Sequence, residues 1–289
     1  MKTRLTKSFL AQTLLISHLA SSEAFAQAPA PVSTAPHSQT NLAQIKQEEK
    51  KESAFNLGIA VEYSQKIAVD QRGARKNNTD FTLAPTYKIN SLLTLGAKGI
   101  MTKENSGSRQ TTFSNTQLSL GLKGIKFGSD FESLHSLTGT AATNEASQKR
   151  DRLNGAIGVS NGIRFINPLV KIEYKLGLSK NFHEFNINAA GSPNVEYRLS
   201  NSLDINVPIT QRLSISTVGI YRNGLTYGGF QRNLFSVDAD INYDLNDKFS
   251  LNLGVSNDGD ALKSNGIDSN ISAYNENTSV VRAGLSLSL

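Results

Sequence analysis

Serine beside histidine is the pairing in this sequence that most invites a chemical reading. His135 stands between Ser133 and Ser136, His183 precedes Glu184, and His37 lies upstream among Ala and Pro. A hydroxyl becomes a nucleophile when an imidazole takes its proton and a third group orients that imidazole. The sequence holds no G-x-S-x-G, and its spacing supplies no third group to either downstream histidine. Oxygen donors gather at Asp258, Asp260 and Asp268, read as one outer loop, but without the spacing of an EF-hand. The absence of Cys excludes a thiolate metal site, and neither a G-x-x-x-x-G-K-S/T loop nor a strand-to-helix G-x-G-x-x-G is found. The expectation is a protein that is not an enzyme, with no catalytic residues, no metal and no cofactor.

Charge carries more information, because much of it recurs at every second position. Lys171, Glu173 and Lys175 do so in one run, Asp238 and Asp240 in another. A period of two is the strand period. The stretch INYDLNDKFSLNLGVSN, Ile241 to Asn257, shows the pattern in full. Ile241 and Tyr243, then Phe249, Leu251, Leu253 and Val255, form one apolar face, while Asn242, Asp244, Ser250 and Asn252 form a polar one. Leu245 to Lys248 makes a tight turn between them. The same hairpin recurs at Thr86–Gly99, Ile163–Ser179 and Ile205–Tyr221, and less regularly from Gln117 to about Thr138.

Longer polar stretches separate these hairpins, so the connections alternate long and short. A sandwich has no reason to keep that rhythm, whereas a membrane barrel has turns on one side and loops on the other. Twelve alternating runs are legible, near residues 55–65, 80–89, 92–103, 111–123, 130–139, 152–165, 169–180, 194–207, 213–226, 231–245, 249–258 and 274–289. Each approaches the ~9–11 residues a tilted strand needs to cross a bilayer. The predicted fold is all-β: a transmembrane antiparallel up-and-down β-barrel of about 12 strands over residues 54–289, with ten and fourteen strands as alternatives because the fifth run is irregular.

The N-terminus sets the compartment. Lys2, Arg4 and Lys7 precede an apolar stretch from Phe9 to Ala20, and Ala24-Phe25-Ala26 forms an A-x-A cleavage site. Residues 1–26 read as a signal peptide. Residues 27–53 read as a periplasmic tether, disordered or briefly helical, or as a plug entering the barrel. Removing the leader takes 30 basic and 24 acidic residues to 27 and 23, a net charge of +4 in place of +6, too weak a balance for a nucleic-acid partner.

The two faces then divide the side chains. Apolar residues such as Leu95, Leu176, Phe235, Val237 and Leu253 should meet lipid, with Tyr87, Phe165, Tyr243 and Phe249 in a girdle beside the tight turns. The opposite face should line the lumen with Glu62, Lys98, Lys123, Arg164, Lys171, Glu173, Lys175, Glu196, Arg198, Asp204, Arg222, Asp238, Asp240 and Arg282. Charged side chains at membrane depth must face water or pair with one another. That leaves a narrow wet pore or a lumen closed by salt bridges. In the outer loops, Arg72, Arg75 and Lys76, then Lys149, Arg150 and Arg152, form basic clusters suited to phosphates of lipopolysaccharide.

The final run, SVVRAGLSLSL, resembles the last strand of Gram-negative outer-membrane β-barrels of the porin-like superfamily. Val281, Ala283, Leu285, Leu287 and Leu289 match its alternating apolar pattern, although the usual terminal aromatic is replaced by Leu289. The resemblance implies an outer-membrane location, recognition by the barrel-assembly machinery, and contact with outer-membrane lipid and lipopolysaccharide. It assigns no oligomeric state. Two functions stay open: a narrow, weakly selective channel for small hydrophilic solutes, or a non-conducting structural or surface-display barrel whose outer loops touch lipopolysaccharide or other partners.

Overall fold

In a computed structural model, residues 53–70, 73–263 and 266–289 are described. The expected signal peptide, all but the last residue of the expected tether, His37 and Arg72 lie outside the described residues. Twelve antiparallel strands close into a barrel. They are β1 (Phe55–Lys66), β2 (Asn77–Lys88), β3 (Leu93–Glu104), β4, β5 (Phe131–Ala141), β6 (Leu153–Asn167), β7 (Val170–His183), β8 (Val195–Pro208), β9 (Leu213–Thr226), β10 (Gln231–Asp244), β11 (Phe249–Asp260) and β12 (Val280–Ser288). Strand β4 runs in three segments, Thr111–Phe113, Thr116–Leu122 and Lys126–Phe127. Each strand pairs with its sequence neighbours, and β12 pairs with β1 to close the ring. One short helix, α1 (Glu145–Lys149), is found among the described residues.

The tight turns explain the register. Asn90 Oδ1 accepts the N–H groups of Leu92 and Leu93 at 2.8 and 2.9 Å. Thr210 Oγ1 accepts those of Arg212 and Leu213 at 3.2 and 3.0 Å. Asn246 Oδ1 accepts those of Lys248 and Phe249 at 2.9 and 3.0 Å. A short polar side chain that satisfies two turn donors fixes where each hairpin bends, and with it which residues face which side.

Hydrophobicity is inverted relative to a water-soluble domain. Leu253, Ile157 and Leu137 are 60%, 58% and 56% exposed, all on the outward face. The buried side chains include Glu62, Asp238 and Arg282, which face inward. A closed barrel has no free sheet edge, so its backbone polar groups are paired at membrane depth. Beside the tight turns, Phe55, Tyr87, Phe131, Phe165, Tyr243 and Phe249 stand outward, and Phe131 and Phe165 stack at 5.1 Å. Phe235 departs from the expected lipid-facing set. Its register is outward, yet it is 3% exposed, because the loop between β11 and β12 folds against that part of the wall. Asn257 anchors this loop, donating to the Ser272 carbonyl at 2.8 Å and accepting from Thr278 Oγ1 at 2.6 Å.

Candidate functional site

Strand pairing determines what the interior of the barrel holds. Arg282 projects inward from β12, 3% exposed, and its guanidinium lies 2.9 Å from Asp240, 3.2 Å from Asp238 and 3.8 Å from Glu62. Asn252 Nδ2 reaches Glu62 Oε2 at 3.4 Å. Lys98 on β3 and Asp80 on β2 lie within electrostatic reach of Glu62, and Asp80 is its direct cross-strand partner. One cluster thus joins β10, β11, β12, β1, β2 and β3. It fills its side of the interior together with Val218, Ile220 and Val280, which are also inward and buried.

A second network lies toward the tight-turn end. Arg164 Nε donates to Glu173 Oε2 at 2.8 Å, Glu132 lies 3.6 Å from Arg164, and Lys175 pairs with the other oxygen of Glu173. Lys171 and Asp204 share this inward face by register. Toward the long-loop end, Arg198, Arg222 and Arg232 face inward on adjacent strands, with Arg222 and Arg232 acting electrostatically on Arg198. Asp258 and Asp238 act on Arg222.

Between these networks the wall is bare. The inward positions of β4 to β7 include Ser119, Gly121, Ser136, Thr138, Gly158, Ser160 and Gly177. These short side chains retain contact with solvent. The interior is therefore lopsided: charged and filled on the side of β10 to β3, while the side of β4 to β7 carries the Arg164–Glu173 network at its tight-turn end and is small and hydroxyl-lined beyond it.

Two expected inner residues stand elsewhere. Glu196 is the extra residue of a bulge in β8, between Val195 and Tyr197, and it lies 3.5 Å from Lys180. Lys180 is on the outward face, so the bulge takes Glu196 out of the inner set. Lys123 follows the middle segment of β4 at the tight-turn rim, exposed, with its N–H bonded to Leu92 O at 2.8 Å. The remaining twelve expected residues face inward by register. Asp80, Glu132, Arg232 and Asp258 are additional inward charges outside the expected inner set. Asp258 and Asp260 belong to β11 and not to the loop, so the expected three-aspartate loop is not formed.

His135 does acquire a third group, which spacing alone did not reveal. Its Nδ1 lies 2.8 Å from Asn161 Oδ1 on β6 and its Nε2 2.9 Å from Ser133 Oγ. Ser133 is buried and its hydroxyl accepts the Ile125 N–H at 2.8 Å, which bridges the irregular step in β4. The arrangement satisfies polar groups on the outward wall and leaves the serine enclosed. In the long loops, Lys149 is paired with Glu145 at 2.6 Å, Arg150 with Asp151 at 2.8 Å and Arg152 with Glu184 at 3.9 Å. Arg75 and Lys76 are exposed. Val281, Ala283, Leu285 and Leu287 face outward on β12, and Leu289 ends the chain bonded to Leu57.

No protein-family model matches the sequence, and no curated protein does. Solved structures match the architecture. An outer membrane channel from Pseudomonas putida F1 superposes with a TM-score of 0.57 at 9% identity, over 85% of this chain and 100% of that one. The NanC porin gives a TM-score of 0.54 at 8% identity, over 81% of this chain and 100% of that one. This is the porin-like outer-membrane barrel fold. Within that fold, the distribution of side chains inside the ring is uneven here.

Proposed function

We propose that the protein is an outer-membrane channel that passes small hydrophilic solutes, with weak charge selectivity, along the β4–β7 side of its interior. One observation carries this reading: beyond the Arg164–Glu173 network the inward residues of that side are Ser, Thr and Gly in contact with solvent, while most of the buried inward residues cluster on the opposite side. Twelve strands fall between the ~8-strand barrel that its own side chains fill and the ~16-strand barrel with an open aqueous channel. A partly filled interior with one bare wall fits that intermediate size. Acidic and basic residues are interleaved on the filled side, which argues against strong discrimination by sign. The fold likeness supports the outer-membrane location, and the export signal read from residues 1–26 agrees with it.

Single-channel recording of the refolded mature chain in a planar bilayer tests this. Wild type should give steady openings whose size rises with salt. Ser160→Arg, which places a long cation on the bare wall, should reduce unit conductance several-fold with the barrel still folded. A folded but silent wild-type barrel would overturn the reading in favour of a closed structural barrel acting through its loops.

A further inference from the structure

The outward wall has one recess that the channel reading does not use. At its centre is Gly219 on β9, and a side chain added there would meet nothing within 4 Å. Leu203 of β8 stands on one side, Phe235 and Val237 of β10 on the other, Tyr221 two residues along β9, and Ile271 of the long loop lies at its margin. The recess holds about 240 Å³. A cavity of ~150 Å³ lined by apolar side chains takes up a benzene-sized molecule, so this one has room for several carbons of a hydrocarbon chain.

Two polar features lie on the same outward surface. Tyr174 Oη donates to Asn201 Oδ1 at 2.8 Å, while Asn201 Nδ2, on a side chain that lines the recess, has no hydrogen-bond acceptor among the described residues. A donor without a partner is costly on a wall facing hydrocarbon and calls for an acceptor from the occupant. Nearer the long-loop end of the same two strands, Lys180 Nζ stands 5.1 Å from the Tyr197 ring centroid and 5.8 Å from that of Phe182. An outward ammonium among aromatic rings is placed as a headgroup anchor. Glu196, 3.5 Å from the same nitrogen, takes up part of its charge, and an ammonium has three hydrogens to give. From Tyr197 to Asn201 is four residues, roughly 13 Å along a strand and about 10 Å along the membrane normal at the ~35–45° tilt of barrel strands. A hydrocarbon leaflet is ~15 Å deep. The recess therefore lies at acyl-chain depth below a cation at headgroup depth.

We propose that this surface holds one phosphate-bearing lipid of the outer leaflet. Lys180 meets its phosphate, the Asn201 amide donates to a carbonyl of its linkage, and one acyl chain lies over Gly219. The site goes beyond conduction and stands whether or not the barrel conducts.

The chain has no Trp, so a single introduced indole reports its surroundings without background. The full mature chain carrying Tyr221→Trp, beside the recess, is compared with one carrying Leu118→Trp, on the plain wall. Both are refolded into phosphatidylcholine vesicles with rising fractions of chain-brominated phosphatidylglycerol. The Tyr221→Trp indole should be half-quenched at a several-fold lower fraction than that at position 118. Brominated phosphatidylcholine should give it a weaker advantage. Adding Lys180→Gln should bring the phosphatidylglycerol curve onto the phosphatidylcholine curve, and adding Gly219→Leu should remove the advantage for both lipids. Superposable curves for the two indoles would overturn the proposal. So would an indole at 221 that no brominated lipid reaches, because a second copy of the barrel would then cover the recess. No change with Lys180→Gln would overturn the headgroup contact.

Discussion

Arg282 shows how much one side chain can carry in a barrel of this kind. Its guanidinium is enclosed and stands among the carboxylates of Asp238, Asp240 and Glu62. Removing one partner of a buried ion pair leaves uncompensated charge, at a cost of roughly 3–5 kcal/mol. Arg282→Ala should therefore lower barrel stability by about that amount in urea unfolding of the refolded protein. The methylene-rich but uncharged Arg282→Met should fare almost as badly, since the carboxylates still lack a cation. Arg282 was legible as an inward charge because it alternates with Val281 and Ala283. Its partners Glu62, Asp238 and Asp240 were legible in the same way. The inward Asp258 was not, because it stands in Asn257-Asp258-Gly259-Asp260, a composition that local rules assign to a turn. The hydrogen-bond ladder to β10 overrides that preference and carries the strand to Asp260.

At the scale of the element, period-two reading succeeds wherever the ladder is regular and fails at an inserted residue. In β11 it places Leu253 outward and Asn252 inward, and the pairing agrees. Leu253→Arg should destabilise the barrel by about 2–4 kcal/mol if the site lies at the bilayer midplane. Asn252→Arg should be far milder, because the new cation would join Glu62 on the inner face. Denaturation of the two variants in the same vesicles separates these outcomes. In β8 the same reading slips by one residue at the bulge, which is why Glu196 was expected inside. The three-segment course of β4 and its pairing with β5 were likewise hard to read, because the bridging bonds come from Ser133 and not from an alternating pattern. Turn residues act at this scale too. Asn246→Ala leaves two turn N–H groups without their acceptor, and should cost about 1 kcal/mol in the same unfolding measurement.

At the scale of the whole molecule, the proposed conduction path depends on the filled and bare sides of the interior. The sequence shows that charges line the inside, but not how they distribute around the ring, because that depends on which strands become neighbours and at what height. With wild type in a salt gradient, the reversal potential should lie near zero. Replacing Arg198 and Arg222 by Glu should move it toward the cation equilibrium potential, since both face the interior at the long-loop end. The closing pairing between β12 and β1 has a consequence of another kind. Asn252 and Glu62 touch across 190 residues of chain, and the Arg282 cluster exists only after the last strand has met the first. Until that moment Glu62 has no guanidinium beside it and both terminal strands are open edges, ready to zip onto any other exposed strand. Contacts so distant in sequence form late and slowly. The hazard for this protein is therefore a matter of timing: until its last strand meets its first, both terminal edges stay open, and whatever shortens that wait lowers the chance of mispairing.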